Sequence, residues 1–219
     1  MQEGPLANAR PARVGPGGSV PSRALDALNF SLADVRDGLG PYLAIYLLTV
    51  QHWDEASIGL VMTIGGIAGI LAQTPAGALI DGSRAKRALI VAAAVVVTLG
   101  TLLVPLASGF AVIAGLQALT HAAGAVFQPA IAAITLGVVG PRAFTHRTGR
   151  NEAFNHAGNA AAAVVAGAAA YAFGPLAVFY VMTVMALASI VSTLAIPARA
   201  IDHDLARGLA EHDGRYRPS

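Results

Sequence analysis

The feature that most constrains this chain is an alternation. Apolar stretches of roughly 20 residues, long enough to cross about 30 Å of hydrocarbon as helix, are separated by short connections that collect nearly all the charge. Six stretches are present: Leu28 to Val50, Ser57 to Ile80, Ala88 to Leu106, Gly109 to Val139, Asn151 to Phe173, and Pro175 to Ile196. Inside lipid every backbone N–H and C=O needs a partner within the chain, which leaves helices or closed barrels. Barrel strands alternate apolar and polar residues, whereas Val91 to Val97 is uninterrupted. An all-α integral membrane fold with six transmembrane helices is therefore expected.

Composition agrees. The 219 residues are 55% hydrophobic and 12% charged, against about 25% charged in ordinary soluble domains. Positive residues near short connections are retained on the cytoplasmic side. Arg10, Arg13 and Arg23 precede the first stretch; Arg84, Lys86 and Arg87 follow the second; Arg142, Arg147 and Arg150 follow the fourth; Arg199, Arg207, Arg215 and Arg217 follow the sixth. The connections around Trp53, Ser108 and Gly174 hold no Lys or Arg. Both ends are thus expected in the cytoplasm, with the cytoplasmic (inner) membrane as the location.

The sequence pI of 9.3 does not point to nucleic acid, because the basic residues sit in short clusters at helix ends and form no continuous stripe. Without cysteine, disulfides and thiolate metal sites are excluded. Residues 1–24, rich in Gly, Pro and Arg at their start, are expected to form a disordered cytoplasmic tail. Residues 25–199 form the bundle and 200–219 a second cytoplasmic tail. No cleavable signal is evident, because the first apolar run starts late and is long.

Polar residues in a membrane bundle face protein or a water-filled cavity. Stretches three and six carry few and are the lipid-facing candidates. Stretch one contains Asn29, Asp34, Arg36 and Asp37; stretch four Gln117, His121 and Gln128; stretch five Glu152, Asn155, His156 and Asn159. Gln117 and His121 are four apart and share a helix face, so they are candidates for contacting a solute or handling a proton, or else for hydrogen bonding to a neighbouring helix. Asp34 and Asp37 share a face from which Arg36 is rotated away; the three form a local ion-pair network or supply a coupling carboxylate, unless Arg36 snorkels to the interface. Asn155 and Asn159 form one row on stretch five, and Glu152 and His156 another, with Glu152 also suited to a helix first turn. Glu152, His156 and His121 are competent metal ligands, yet no local spacing motif supports a metal site. No cofactor is expected. An enzyme is not indicated either, since no positioned nucleophile with a base and no phosphate loop appears.

The connection after stretch two runs Gly77-Ala-Leu-Ile-Asp81-Gly-Ser-Arg84-Ala-Lys86-Arg87. It resembles the GxLaDrxGrkr signature loop of the major facilitator superfamily. Gly77, Leu79, Asp81, Lys86 and Arg87 fall at matching positions; Gly82 replaces a basic residue and Arg84 a second glycine. The charged, Gly/Pro-broken segment from Asp34 to Pro41 and Pro129 in stretch four are similar to family features. Gln117 stands where many proton-coupled members carry arginine. Tyr171 and Ala172 depart from the antiporter glycine motif that Gly158 and Gly167 would otherwise suit.

The resemblance covers roughly residues 25–200 and implies one half of a twelve-helix secondary transporter of a small solute. It also implies that Asp81 helps clamp the two halves, and that residues 200–219 begin a central cytoplasmic loop. The partners expected are the lipid bilayer, a small solute and a second six-helix bundle. That bundle is either a missing half or a copy of this chain, paired through the Gly-rich and Ala-rich faces of stretches two and five. A six-helix scaffold or accessory subunit without transport activity is the alternative from another class.

Overall fold

The computed structural model describes residues 20–36 and 40–207, and among them no strand occurs. Seven α-helices follow one another: α1 (Val20–Arg36), α2 (Pro41–Thr49), α3 (Glu55–Gly82), α4 (Lys86–Leu103), α5 (Phe110–Gly124), α6 (Phe127–Phe173) and α7 (Ala177–Ala195). Short 3-10 turns extend α4 at Val104–Leu106 and follow α7 at Ala198–Ala200 and Leu205–Arg207. Among the described residues four helical segments are long and apolar enough to cross a membrane: Glu55–Gly82, Lys86–Leu106, Phe110–Phe173 and Ala177–Ala195.

The first expected stretch is two helices. Gly40 adopts φ 46°, ψ −130°, and Pro41 opens α2 in its first turn. Proline supplies a preset φ and lacks an N–H that the first turn would leave unpaired, so the chain restarts there. Asp37 lies outside the described residues. At the other end α1 begins at Val20, so residues 20–24 of the tail expected over 1–24 are helical, while residues 1–19 lie outside the described residues. Leu25, Leu28, Leu32 and Val35, at alternating spacings of three and four, are wholly enclosed. That apolar face starts before the uncharged run does, and it draws the segment carrying Arg23 and Asp26 into the helix.

Segment Phe110–Phe173 spans 64 residues, about 96 Å if it were one straight helix, and it bends twice. Pro129 has no N–H to give the carbonyl of Ala125, and α5 hands over to α6 at Ala125 and Val126. Inside α6, Gly140 takes φ 73°, ψ 171°, and Pro141 follows. The positive φ suits a residue without Cβ, and Pro141 again occupies a helix start. Residues 142–150, expected as a connection, are consequently helical.

Close backbone approach ties the helices together. A Cβ at Gly158 would collide with the carbonyl of Phe30, so α6 lies directly on α1. Gly100 meets the Thr120 side chain between α4 and α5. Tyr46 and Phe179 stack edge to face at 5.1 Å. Of the four segments long enough to cross a membrane among the described residues, the one formed by α3 is the least enclosed. Its outward side carries Leu60, Ile67, Ile70 and Leu71. The second stretch is thus open to its surroundings alongside the third and sixth, on which Val95 and Leu99, and Val184, Leu187 and Val191, are also exposed.

The connections sort to two ends. At one end Arg147 and Arg150 bond Asp26, Arg87 bonds the last turn of α7, and Arg207 bonds the Asp81 carbonyl. Asp202 N–H donates to the Gly137 carbonyl at 2.9 Å, and Ile201 and Ala206 are buried. Residues 198–207 thus fold back onto the bundle, where a tail was expected from 200. At the opposite end Gln51 donates to the Ala107 carbonyl at 3.4 Å, and Trp53 stacks on Phe110 at 6.2 Å. There Asp54 caps α3, accepting from Ser57 N–H at 2.9 Å and Ser57 hydroxyl at 2.7 Å. Those bonds hold its carboxyl below the usual aspartate range.

Candidate functional site

Gln117 and His121 do share a face of α5, and it is turned toward α3. Gln117 is buried. A Cβ at Gly65 would stand 2.9 Å from His121 Cδ2 and 3.2 Å from Nε2, and one at Gly69 3.4 Å from His121 Cβ. The imidazole therefore lies against the backbone of α3, in a groove that only a small residue leaves open. The Gly65 and Gly69 face is occupied inside this bundle.

The polar residues of stretches one and five meet. Arg36 Nη1 donates to Asn155 Oδ1 at 3.3 Å, and Asn155 Nδ2 donates to Glu152 Oε2 at 3.3 Å. The Arg36 carbonyl also approaches Gly124, where a Cβ would stand at 3.3 Å. The last turn of α1, the last turn of α5 and the second half of α6 therefore converge on one short polar chain. Asp34 is half-buried on α1, Asn159 is half-buried one turn beyond Asn155, and His156 is exposed on another side of α6. The structure thus joins Arg36 to Asn155 and separates His156 from them. Among the described residues no group of three or more His, Cys, Asp or Glu side chains is gathered as a metal site would need.

Toward the charged end lies a cluster that sequence reasoning missed. Asp26 Oδ1 accepts from Arg147 Nη2 at 2.7 Å and Arg150 Nε at 3.0 Å, and Oδ2 accepts from Arg150 Nη2 at 2.7 Å. Asp26 is 7% exposed and Arg147 5%. Burial alone would raise the Asp26 pKa, but hydrogen bonds from Arg150 and the Arg147 charge outweigh it and lower it. Arg150 also sits over the Phe154 ring, 5.4 Å from its centroid. Arg147 and Arg150 share a face three residues apart; that spacing, with a lone acid on the apolar side of a helix, was the available signal.

The signature loop is built around Lys86, which is 0% exposed and donates to the Ser83 carbonyl at 2.7 Å. Arg87 donates to the carbonyls of Thr193 at 3.2 Å and Leu194 at 2.7 Å. It satisfies oxygens that the end of α7 leaves unpaired and sets a cation at the negative end of the helix dipole. Leu79, Asp81 and Arg84 are exposed, Gly77 is half-buried, and a Cβ at Gly77 would meet nothing within 4 Å.

A family model described as Major Facilitator Superfamily matches residues 24–214. Two curated proteins of Mycobacterium tuberculosis, one from each of two strains, are both named as uncharacterized MFS-type transporters. Each is 62% identical to the chain over 197 residues, a match covering 90% of the chain and 47% of the relative. The chain therefore spans about half the length of the relatives it matches. No solved structure matches it.

Proposed function

The chain belongs to the Major Facilitator Superfamily, and from that premise we propose that it forms one six-helix bundle of a secondary active carrier for a small solute, with both ends in the cytoplasm. Six crossings arise if α1 and α2 traverse the bilayer together and the long segment Phe110–Phe173 turns at Gly140. The gathering of the basic connections at one end supports the orientation, because such residues are retained in the cytoplasm.

The observation that carries the transport reading is the Arg36–Asn155–Glu152 chain. It sets a permanently charged guanidinium and its partners at the meeting of α1, α5 and α6. Charged groups at membrane depth are costly and mark solute or ion pathways, and carriers of this kind bind their cargo between two repeats that rock against each other. Arg36 and Asn155 are assigned to the cargo or coupling path, and Asp34 and Gln117 are further candidates for it. His121 serves chiefly to seat α5 on α3. A second bundle covers the open face of α3 and the exposed Leu79 and Asp81. Self-pairing through Gly65 and Gly69 is disfavoured, since His121 already fills that face.

The test is solute flux into sealed vesicles, using a panel of labelled sugars, amino acids and organic anions. The chain alone should give no saturable flux. Co-expression with the unmatched half of a 62%-identical relative should restore it, and Arg36→Gln should abolish it. Saturable flux by the monomeric chain alone contradicts the proposal.

A further inference from the structure

At the basic end, beside the seam between α4 and α7, lies a cavity of about 500 Å³. Its cationic side is formed by Arg84 and Arg87, with His203 from the folded-back segment; its walls include Val91, Ala92 and Leu194, and no carboxylate lines it. Arg84 is exposed, and no hydrogen bond or ion pair engages it among the described residues. Arg87 is held in place by its two bonds to the α7 carbonyls. His203 Nδ1 is buried without a hydrogen-bond partner among the described residues.

The apolar walls continue away from the charged rim. Leu194, Val191 and Leu187 are exposed along one side of α7, and Val95 and Leu99 along α4. Their spacings of three and four put each set in a single file on its helix. A cationic rim opening onto a lengthwise apolar track is complementary to one kind of molecule, an anion carrying hydrocarbon chains. Basic pockets between membrane helices at the cytoplasmic surface hold such head groups.

We propose that this cavity binds the head group of an anionic phospholipid, its phosphate against Arg84 and Arg87 and its acyl chains along the α4–α7 seam. Bound there, the lipid ties the signature loop to the end of α7 and to residues 198–207. The inference rests on the membrane reading above.

Native mass spectrometry of the chain, purified with equal amounts of phosphatidylglycerol and phosphatidylcholine, reads the preference directly. Phosphatidylglycerol should be retained in excess. Arg84→Glu should reduce that excess by about fivefold or more, from the loss of one cation near the surface, while Arg142→Glu, exposed on α6 and outside the cavity lining, should leave it unchanged. Equal retention of the two lipids, or an Arg84→Glu protein that keeps the preference, overturns the site. Displacement of the lipid by millimolar inorganic phosphate also overturns it, in favour of a free-anion site. An alkaline wash of the membranes separates the two levels: a chain released by it refutes the membrane reading, whereas one that stays embedded yet ignores the head group refutes only the lipid site.

Discussion

Arg147 reaches Asp26 across 121 positions of sequence, Nη2 to Oδ1 at 2.7 Å, with both side chains nearly closed off from solvent. This bond fastens the start of α1 to the stretch of α6 just beyond Gly140. Replacing Asp26 by Asn leaves Arg147 enclosed without its countercharge, which costs about 3 kcal/mol when a buried pair loses one member. Thermal unfolding followed by helical circular dichroism should show a lower midpoint for Asp26→Asn. Asp26→Arg combined with Arg147→Asp should recover part of the loss.

The same pair fixes a direction with pH. Because the Asp26 pKa is lowered from the ordinary 3.8, its contribution is fully present above that value and disappears as pH falls through the lower folded value. Stability from this source should be level between about pH 5 and 8 and should decline below about pH 4. Hydrogen exchange of the first turns of α1, compared at pH 6 and pH 3, measures it. The difference should shrink in Asp26→Asn.

The sequence marked this pairing only by the three-residue spacing of Arg147 and Arg150 and by a lone acid at Asp26. Positive charge after the fourth stretch has a sufficient explanation in topology, and Asp26 precedes the first apolar run, so neither looked like half of a bond. The apolar stretches were legible because a bilayer's thickness sets their length. The breaks within them were less so: Gly40–Pro41 and Gly140–Pro141 are visible as residues, yet whether such a pair ends a helix or only interrupts it depends on packing on both sides. Gln117 and His121 were correctly placed on one face. Which helix that face meets is a tertiary fact, decided by the gap at Gly65 and Gly69.

Gly158 is where α6 touches the carbonyl of Phe30. A valine there must push α1 and α6 apart, and overpacking of this kind costs about 1–3 kcal/mol. Gly158→Val should lower both the yield of folded protein and its unfolding midpoint. Gly167→Val, at a position where a Cβ meets nothing within 4 Å, should do neither.

Arg87 holds the loop after α3 to the end of α7. Arg87→Ala removes two charge-assisted bonds to the carbonyls of Thr193 and Leu194, at a cost of about 1–2 kcal/mol. Arg87→Lys should recover part of it, since an ammonium lacks the fork that spans two oxygens. Cleavage by an added protease near residues 195–200 should become faster in the order Arg, Lys, Ala.

The six-crossing bundle is the claim on which the remainder depends, and the chain has no cysteine of its own to complicate a labelling measurement. Single cysteines at Glu55, Ser108 and Pro175 should react with a membrane-impermeant maleimide added outside intact cells. Cysteines at Gly82 and Arg142 should react only after the membrane is opened. Labelling of Gly82→Cys or Arg142→Cys in sealed cells, or protection of Ser108→Cys and Pro175→Cys, would contradict the account.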